Sequence, residues 1–200
     1  MNSAKLRIAV ADDEQDMREF LTESLERLGH EVLYAVDSGR KLVERVKENP
    51  PDLIITDIKM PDMDGLEAAR HIYQQTPLPL IIVSAYHDPE YVERADASHV
   101  IAYLLKPIKE SNLGPAITIA MRRFEELRAL QKEATDLRQA LNDRKIIERA
   151  KGILMKQAKL DEPAAFRRLQ KLASSHNKKL VDIADMIVTA SQAMAPDTDG

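Results

Sequence analysis

Four short apolar runs in the first part of the chain each end on residues that can handle charge. Leu6–Ala11 is followed by Asp12, Asp13 and Glu14, Leu53–Thr56 by Asp57, Leu80–Val83 by Ser84, and Ile101–Leu105 by Lys106 and Pro107. Carboxylates gathered at one edge repel unless a cation sits among them, and all-oxygen ligation suits Mg2+. A lysine and a small hydroxyl opposite complete an anion site: the metal supplies charge for a phosphoryl group, Lys106 pairs with it, and Ser84 donates to a phosphate oxygen. One carboxylate can then itself be the nucleophile, as in aspartyl-phosphate chemistry. Taken singly, each residue has a plainer role. A lone Asp at a strand end is more often a helix N-cap and a lone Lys-Pro is more often a loop, so it is their joint occurrence that points to chemistry.

These ends converge only if the runs are strands of one sheet. The four runs and Val32–Val36 are too short for globular helices, rich in Val, Ile and Leu, and bounded by polar or Pro residues. Amphipathic stretches separate them: Glu14–Leu28, Ser38–Glu48, Gly65–Gln75, Pro89–Ala97 and a segment from Lys109 onward. Gly29 stands where a helix C′ residue belongs. Five such βα units predict a parallel sheet covered on both faces, with ligands bound beyond the carboxyl ends of its strands.

The 200 residues carry a net charge of only −4, but that average conceals a division. Residues 1–110 hold 13 basic and 21 acidic groups, whereas residues 143–179 hold 11 basic and 4 acidic groups. An acidic front half thus precedes a basic back half. The absence of cysteine excludes a disulfide framework and thiol chemistry and fits a reducing compartment. No apolar run approaches the ~20 residues needed to span a bilayer. The start, Met1 to Arg7, also lacks the apolar core of a signal peptide, so a cytoplasmic protein with no membrane partner is expected.

Between Leu113 and Leu141, Gly and Pro vanish after Pro115, and apolar residues recur at Ile117, Met121, Phe124, Leu127, Leu130, Ala134, Leu137 and Leu141. This heptad-like seam predicts a long helix, either packed on its own domain or paired with a second copy as a coiled coil. Three shorter helical patterns follow Asn142: Arg144–Gln157, Pro163–Ser174 with Asp161 as N-cap, and Leu180–Ala193. The expected organisation is an α/β domain over 1–112, a helical linker over 113–141, an all-α three-helix domain over 142–194 and a frayed tail over 195–200.

Arg144, Lys145, Arg149, Lys151 and Lys156 share the first of these helices with an apolar side of Ile146, Ile147, Ile153 and Leu154. Gly152 costs ~1 kcal/mol relative to Ala in a helix, which suggests close approach of another backbone or a phosphate. Arg167, Arg168, Lys171, Lys178 and Lys179 add positive charge. Phe166, the only aromatic here, sits amid Ala164, Ala165 and Leu169 and reads as core, so contacts to phosphates and loop bases are expected rather than base stacking. Two other possibilities are a merely solvated charged face, as in a protein-interaction regulator, and a DNA-binding helix-turn-helix.

Residues 5–110 resemble the receiver domain of two-component response regulators. The resemblance rests on Val-Ala-Asp-Asp-Glu (10–14), Thr-Asp-Ile-Lys-Met-Pro-Asp-Met-Asp-Gly (56–65), Val-Ser-Ala (83–85) and Tyr-Leu-Leu-Lys-Pro (103–107). It implies a flavodoxin-like sheet of order 2-1-3-4-5 and phosphorylation of Asp57 by a sensor histidine kinase. It also implies Mg2+ held by Asp13, Asp57 and the Lys59 carbonyl, with Asp12 acting through water. Lys106 would pair with the phosphate, Ser84 and Tyr103 would be the switch pair, and Pro107 would follow a cis bond. One departure is Ala-Ser-His-Val-Ile-Ala ahead of Tyr103, where many receivers have a Gly-containing segment.

Residues 137–193 resemble the ANTAR domain of the AmiR and NasR antitermination regulators, centred on Ala150, Lys151 and Gly152. Within that family they resemble the PdtaR type, in which receiver, coiled coil and ANTAR domain follow in turn. The resemblance implies a non-enzymatic regulator that binds paired stem-loops in nascent RNA, not DNA, and prevents terminator formation. It would act as a homodimer if the seam is a coiled coil.

Overall fold

Five strands pair in parallel in the order β2-β1-β3-β4-β5: β1 (Arg7–Ala11), β2 (Glu31–Val36), β3 (Leu53–Asp57), β4 (Leu80–Ser84) and β5 (Ala102–Leu105). This computed structural model describes residues 5–85 and 100–193. The helix expected at Pro89–Ala97 and the tail at 195–200 lie outside the described residues. The other helices are α1 (Gln15–Arg27), α2 (Gly39–Glu48), α3 (Gly65–Gln75), α4 (Glu110–Ala158), α5 (Glu162–Ser175) and α6 (Leu180–Ala193). The chain divides into two compact units, residues 1–128 and 129–200.

Strand alternation builds two cores in the first unit. Ile8, Val10, Leu53, Ile55, Ile81 and Val83 face Leu21 and Leu25 of α1 and Leu113, Ile117 and Ala120 of α4. Ala9, Ala11, Ile54 and Ile82 face Leu42 and Val46 of α2 and Leu66, Ala69 and Ile72 of α3. With both faces covered, β3 and β4 are buried along their whole length, which explains their unbroken apolar runs. Gly29 (φ +88°) ends α1 as expected: its N–H reaches the Glu26 carbonyl and the His30 N–H reaches that of Leu25, the paired bonds of a Schellman cap.

The linker helix and the helix expected over Arg144–Gln157 are one. α4 runs unbroken through Asn142, because between Pro115 and Gly152 no Gly or Pro interrupts the helix and one Asn costs only a fraction of a kcal/mol. The seam divides along this helix. Ile117 and Phe124 are buried, whereas Leu127, Leu130, Leu137 and Leu141 are 55–62% exposed. In the second unit, Ala150, Leu169, Ala173, Ile183, Ala184 and Val188 join the ends of α4, α5 and α6 in one core. Asp161 caps α5 by accepting from Ala164 N–H at 2.8 Å, with Pro163 in the first turn.

Candidate phosphoacceptor site and basic helical surface

Parallel pairing brings the carboxyl ends of β1 and β3 together where the strand order reverses, and this edge holds the acidic residues. One carboxylate oxygen from each of Asp12, Asp13 and Asp57 lies within 4.8 Å of the others. Asp12 is fully buried, Asp57 nearly so, and Asp13 is exposed. Asp57 and Ser84 are the last residues of their strands, and Ser84 is also buried. Neither Asp12 nor Asp13 caps α1. The N-cap is Glu14, and its N–H donates to Asp12 Oδ1 at 2.9 Å.

Lys106, just beyond β5, crosses to these acids: its Nζ lies 3.0 Å from Asp12 Oδ2, 3.0 Å from Glu14 Oε1 and 3.7 Å from Asp57 Oδ2. The Lys106–Pro107 bond is cis. Burial pushes the Asp57 carboxyl up to about 6, and the Lys106 charge offsets this only in part. Burial likewise raises Asp12. Although burial works against the Lys106 charge, hydrogen bonds to Asp12 and Glu14 and the nearby Asp57 carboxylate raise the ammonium above its ordinary value. Two buried carboxylates and a third beside them, their oxygens gathered within 4.8 Å, form a donor set that fits a hard divalent cation. Lys59 lies exposed just past β3, and Tyr103 is half-buried on β5 against the α2–α3 core.

Two residues that serve this edge escaped the sequence reading. Arg18 Nη1 donates to the backbone carbonyls of Asp12 and Asp13 at 2.8 and 2.9 Å and so fixes the acidic turn. Gly65 packs so closely under β3 that a Cβ would overlap the Asp57 carbonyl oxygen. Only its place in the 56–65 motif hinted at this role.

On the second unit, Arg144, Lys145, Arg149 and Lys156 are exposed on α4, Arg167 and Arg168 on α5, and Lys178 and Lys179 ahead of α6. Lys145, Arg149, Gly152 and Lys156 are spaced four, three and four residues apart and so share one helical face. A Cβ at Gly152 would meet nothing within 4 Å among the described residues, so no described backbone makes the close approach that the glycine suggested. Lys151 is not the free cation expected. It is buried, with Nζ 2.6 Å from Glu162 Oε1 and 2.9 Å from Glu148 Oε2, because the short turn into α5 brings Glu162 back over α4. These hydrogen bonds, Glu162 first, raise its ammonium above the ordinary value. Phe166 is 36% exposed rather than core, with the Lys151 ammonium 6.0 Å from its ring centre.

A model of the response regulator receiver domain matches residues 8–118, and a model of the ANTAR domain matches residues 135–188. The chain belongs to the response regulators in which a receiver precedes an ANTAR domain, the PdtaR type. The transcriptional regulatory protein PdtaR of Mycobacterium tuberculosis is 36% identical over 182 residues, 91% of this chain and 89% of that protein. Among solved structures, a DNA-binding response regulator of the LuxR family from Staphylococcus aureus superposes with a TM-score of 0.56 at 29% identity, over 58% of this chain and 98% of that one. The response regulator domain of Thermotoga maritima CheB gives 0.55 at 27% identity, over 59% and 97%. No described helix is long and apolar enough to cross a membrane.

Proposed function

We propose that this protein takes up a phosphoryl group on Asp57 from a sensor histidine kinase and thereby controls RNA binding by its ANTAR domain, hence antitermination at stem-loop RNA. The observation that carries this is the gathering of Asp12, Asp13 and Asp57 under one lysine, in a chain whose other unit presents a basic helical face. In the transfer, an Asp57 carboxylate oxygen attacks phosphorus. The new O–P bond forms as the bond to the donor breaks, and the donor leaves with that electron pair. Asp13, Asp57 and the Lys59 carbonyl would hold Mg2+, with Asp12 behind them. When bound, the ion supplies positive charge against the carboxylates and the phosphoryl oxygens. Lys106 pairs with the phosphoryl group and Ser84 donates to it, while Tyr103 follows Ser84 in the switch.

The bare leucines Leu127, Leu130, Leu137 and Leu141 support a homodimer through the 113–141 segment, since a helix stripe this apolar is stable when a second copy covers it. Two basic faces would then meet paired stem-loops. A titration of full-length protein with a two-stem-loop RNA, repeated with duplex DNA of the same length, tests both points. Tighter RNA binding and two chains per RNA are expected, whereas tighter duplex binding rejects the RNA assignment and one chain per RNA rejects the dimer.

A further inference from the structure

Among the described residues, Lys106 is shared by three carboxylates that are not equivalent. Asp12 is fully buried, so taking Lys106 away from it would leave a charge that is costly to bury. Asp57 is the most distant of the three, at 3.7 Å. Glu14 reaches Lys106 at 3.0 Å from the rim, where its side chain is 64% exposed. As the N-cap of α1 it could have capped the helix, yet its carboxylate makes no capping bond and turns to the lysine instead. Phosphoryl uptake on Asp57 asks Lys106 to turn toward a new cluster of anionic oxygens. Of its two nearer partners, only the one facing water can release it at little cost.

We propose that Glu14 is a positioning residue that holds Lys106 back in the unphosphorylated state, and so sets how fast Asp57 gains and loses its phosphoryl group. The proposal rests on Asp57 being the phosphoacceptor. Removing the competitor leaves Lys106 more available both to the transferring group and to the phosphorylated product. Labelling therefore speeds up and the phosphorylated form lasts longer, whereas a merely structural disturbance of the turn would slow labelling.

The test labels full-length wild type, Glu14→Gln, Asp16→Asn and Asp57→Asn with acetyl phosphate and Mg2+ and follows gain and decay of the aspartyl phosphate by mass spectrometry. Asp16 lies exposed in the first turn of α1 and carries the same charge, but it is not among the carboxylates within 4.0 Å of Lys106. Glu14→Gln is expected to raise the initial rate and lengthen the half-life about two- to fivefold, the range that one exposed ion pair allows. The gain should shrink at high salt, and Asp16→Asn should stay near wild type. An unchanged or slower Glu14→Gln, or an Asp16→Asn equal to it, overturns the proposal. Labelling of Asp57→Asn instead removes the phosphoacceptor assignment on which it stands.

Discussion

Replacing Asp57 with Asn is expected to abolish labelling by acetyl phosphate and, at the same time, to make the metal-free protein more stable at neutral pH. Loss of labelling follows from losing the nucleophilic carboxylate, since a neutral amide is a poor nucleophile and cannot form the acyl phosphate. The gain in stability follows from burial. In the folded chain the Asp57 carboxyl is raised to about 6 against an ordinary value of 3.8, so the native state holds its proton more tightly than the unfolded chain. Its contribution to stability is fully present below about pH 4 and is lost as pH rises through 6. At pH 7.5 the wild type therefore bears the cost of a buried, crowded charge that Asn lacks, at most about 2–3 kcal/mol from a shift of this size. Thermal unfolding in a chelator at pH 5 and 7.5 checks this. The wild type should lose stability between the two values, and Asp57→Asn should lose less and unfold later at pH 7.5. Full labelling of the variant would remove Asp57 from the site.

The second large effect belongs to the basic face. Lys145→Glu with Arg149→Glu is expected to weaken binding of a two-stem-loop RNA by at least about tenfold at 0.1 M salt, because each reversed side chain both removes a phosphate contact and adds a repulsion. The slope of log affinity against log salt should flatten by roughly 0.7–0.9 per lost contact. Both residues are exposed, so the melting temperature should hardly move. Gly152→Ala provides the complementary case. Nothing among the described residues meets a Cβ there, so the variant should stabilise α4 by up to ~1 kcal/mol while weakening RNA binding if the RNA backbone approaches that face. Filter binding across a salt series measures both variants. Unchanged affinity in the double variant would assign the face to plain solvation.

What the residue pattern revealed and what it hid differ in range. The strands, their parallel order and the charged residues at their ends were legible, because a doubly covered sheet demands unbroken apolar strands and places whatever follows them at one edge. Gly29 and Asp161 were legible because caps are local. Lys151 was misread because its burial depends on Glu162, which reaches it only once α5 folds back, and nothing in the helical spacing foretells that. Arg18 was missed because its partners are backbone carbonyls, which leave no mark in a side-chain pattern. The seam could be read as either packing or pairing. The structure divides it, with Ile117 packed against the sheet, Phe124 buried, and the leucines from Leu127 onward bare.

The proposed function makes the Asp57 phosphoryl group govern RNA binding. It is tested most directly by titrating one two-stem-loop RNA into the full-length protein before and after treatment with acetyl phosphate and Mg2+, with Asp57→Asn treated identically. The expected result is an affinity change of at least about fivefold in the wild type, the lower end of an ordinary coupling between two sites, and none in Asp57→Asn. An RNA affinity that stays the same in fully phosphorylated wild type would contradict it.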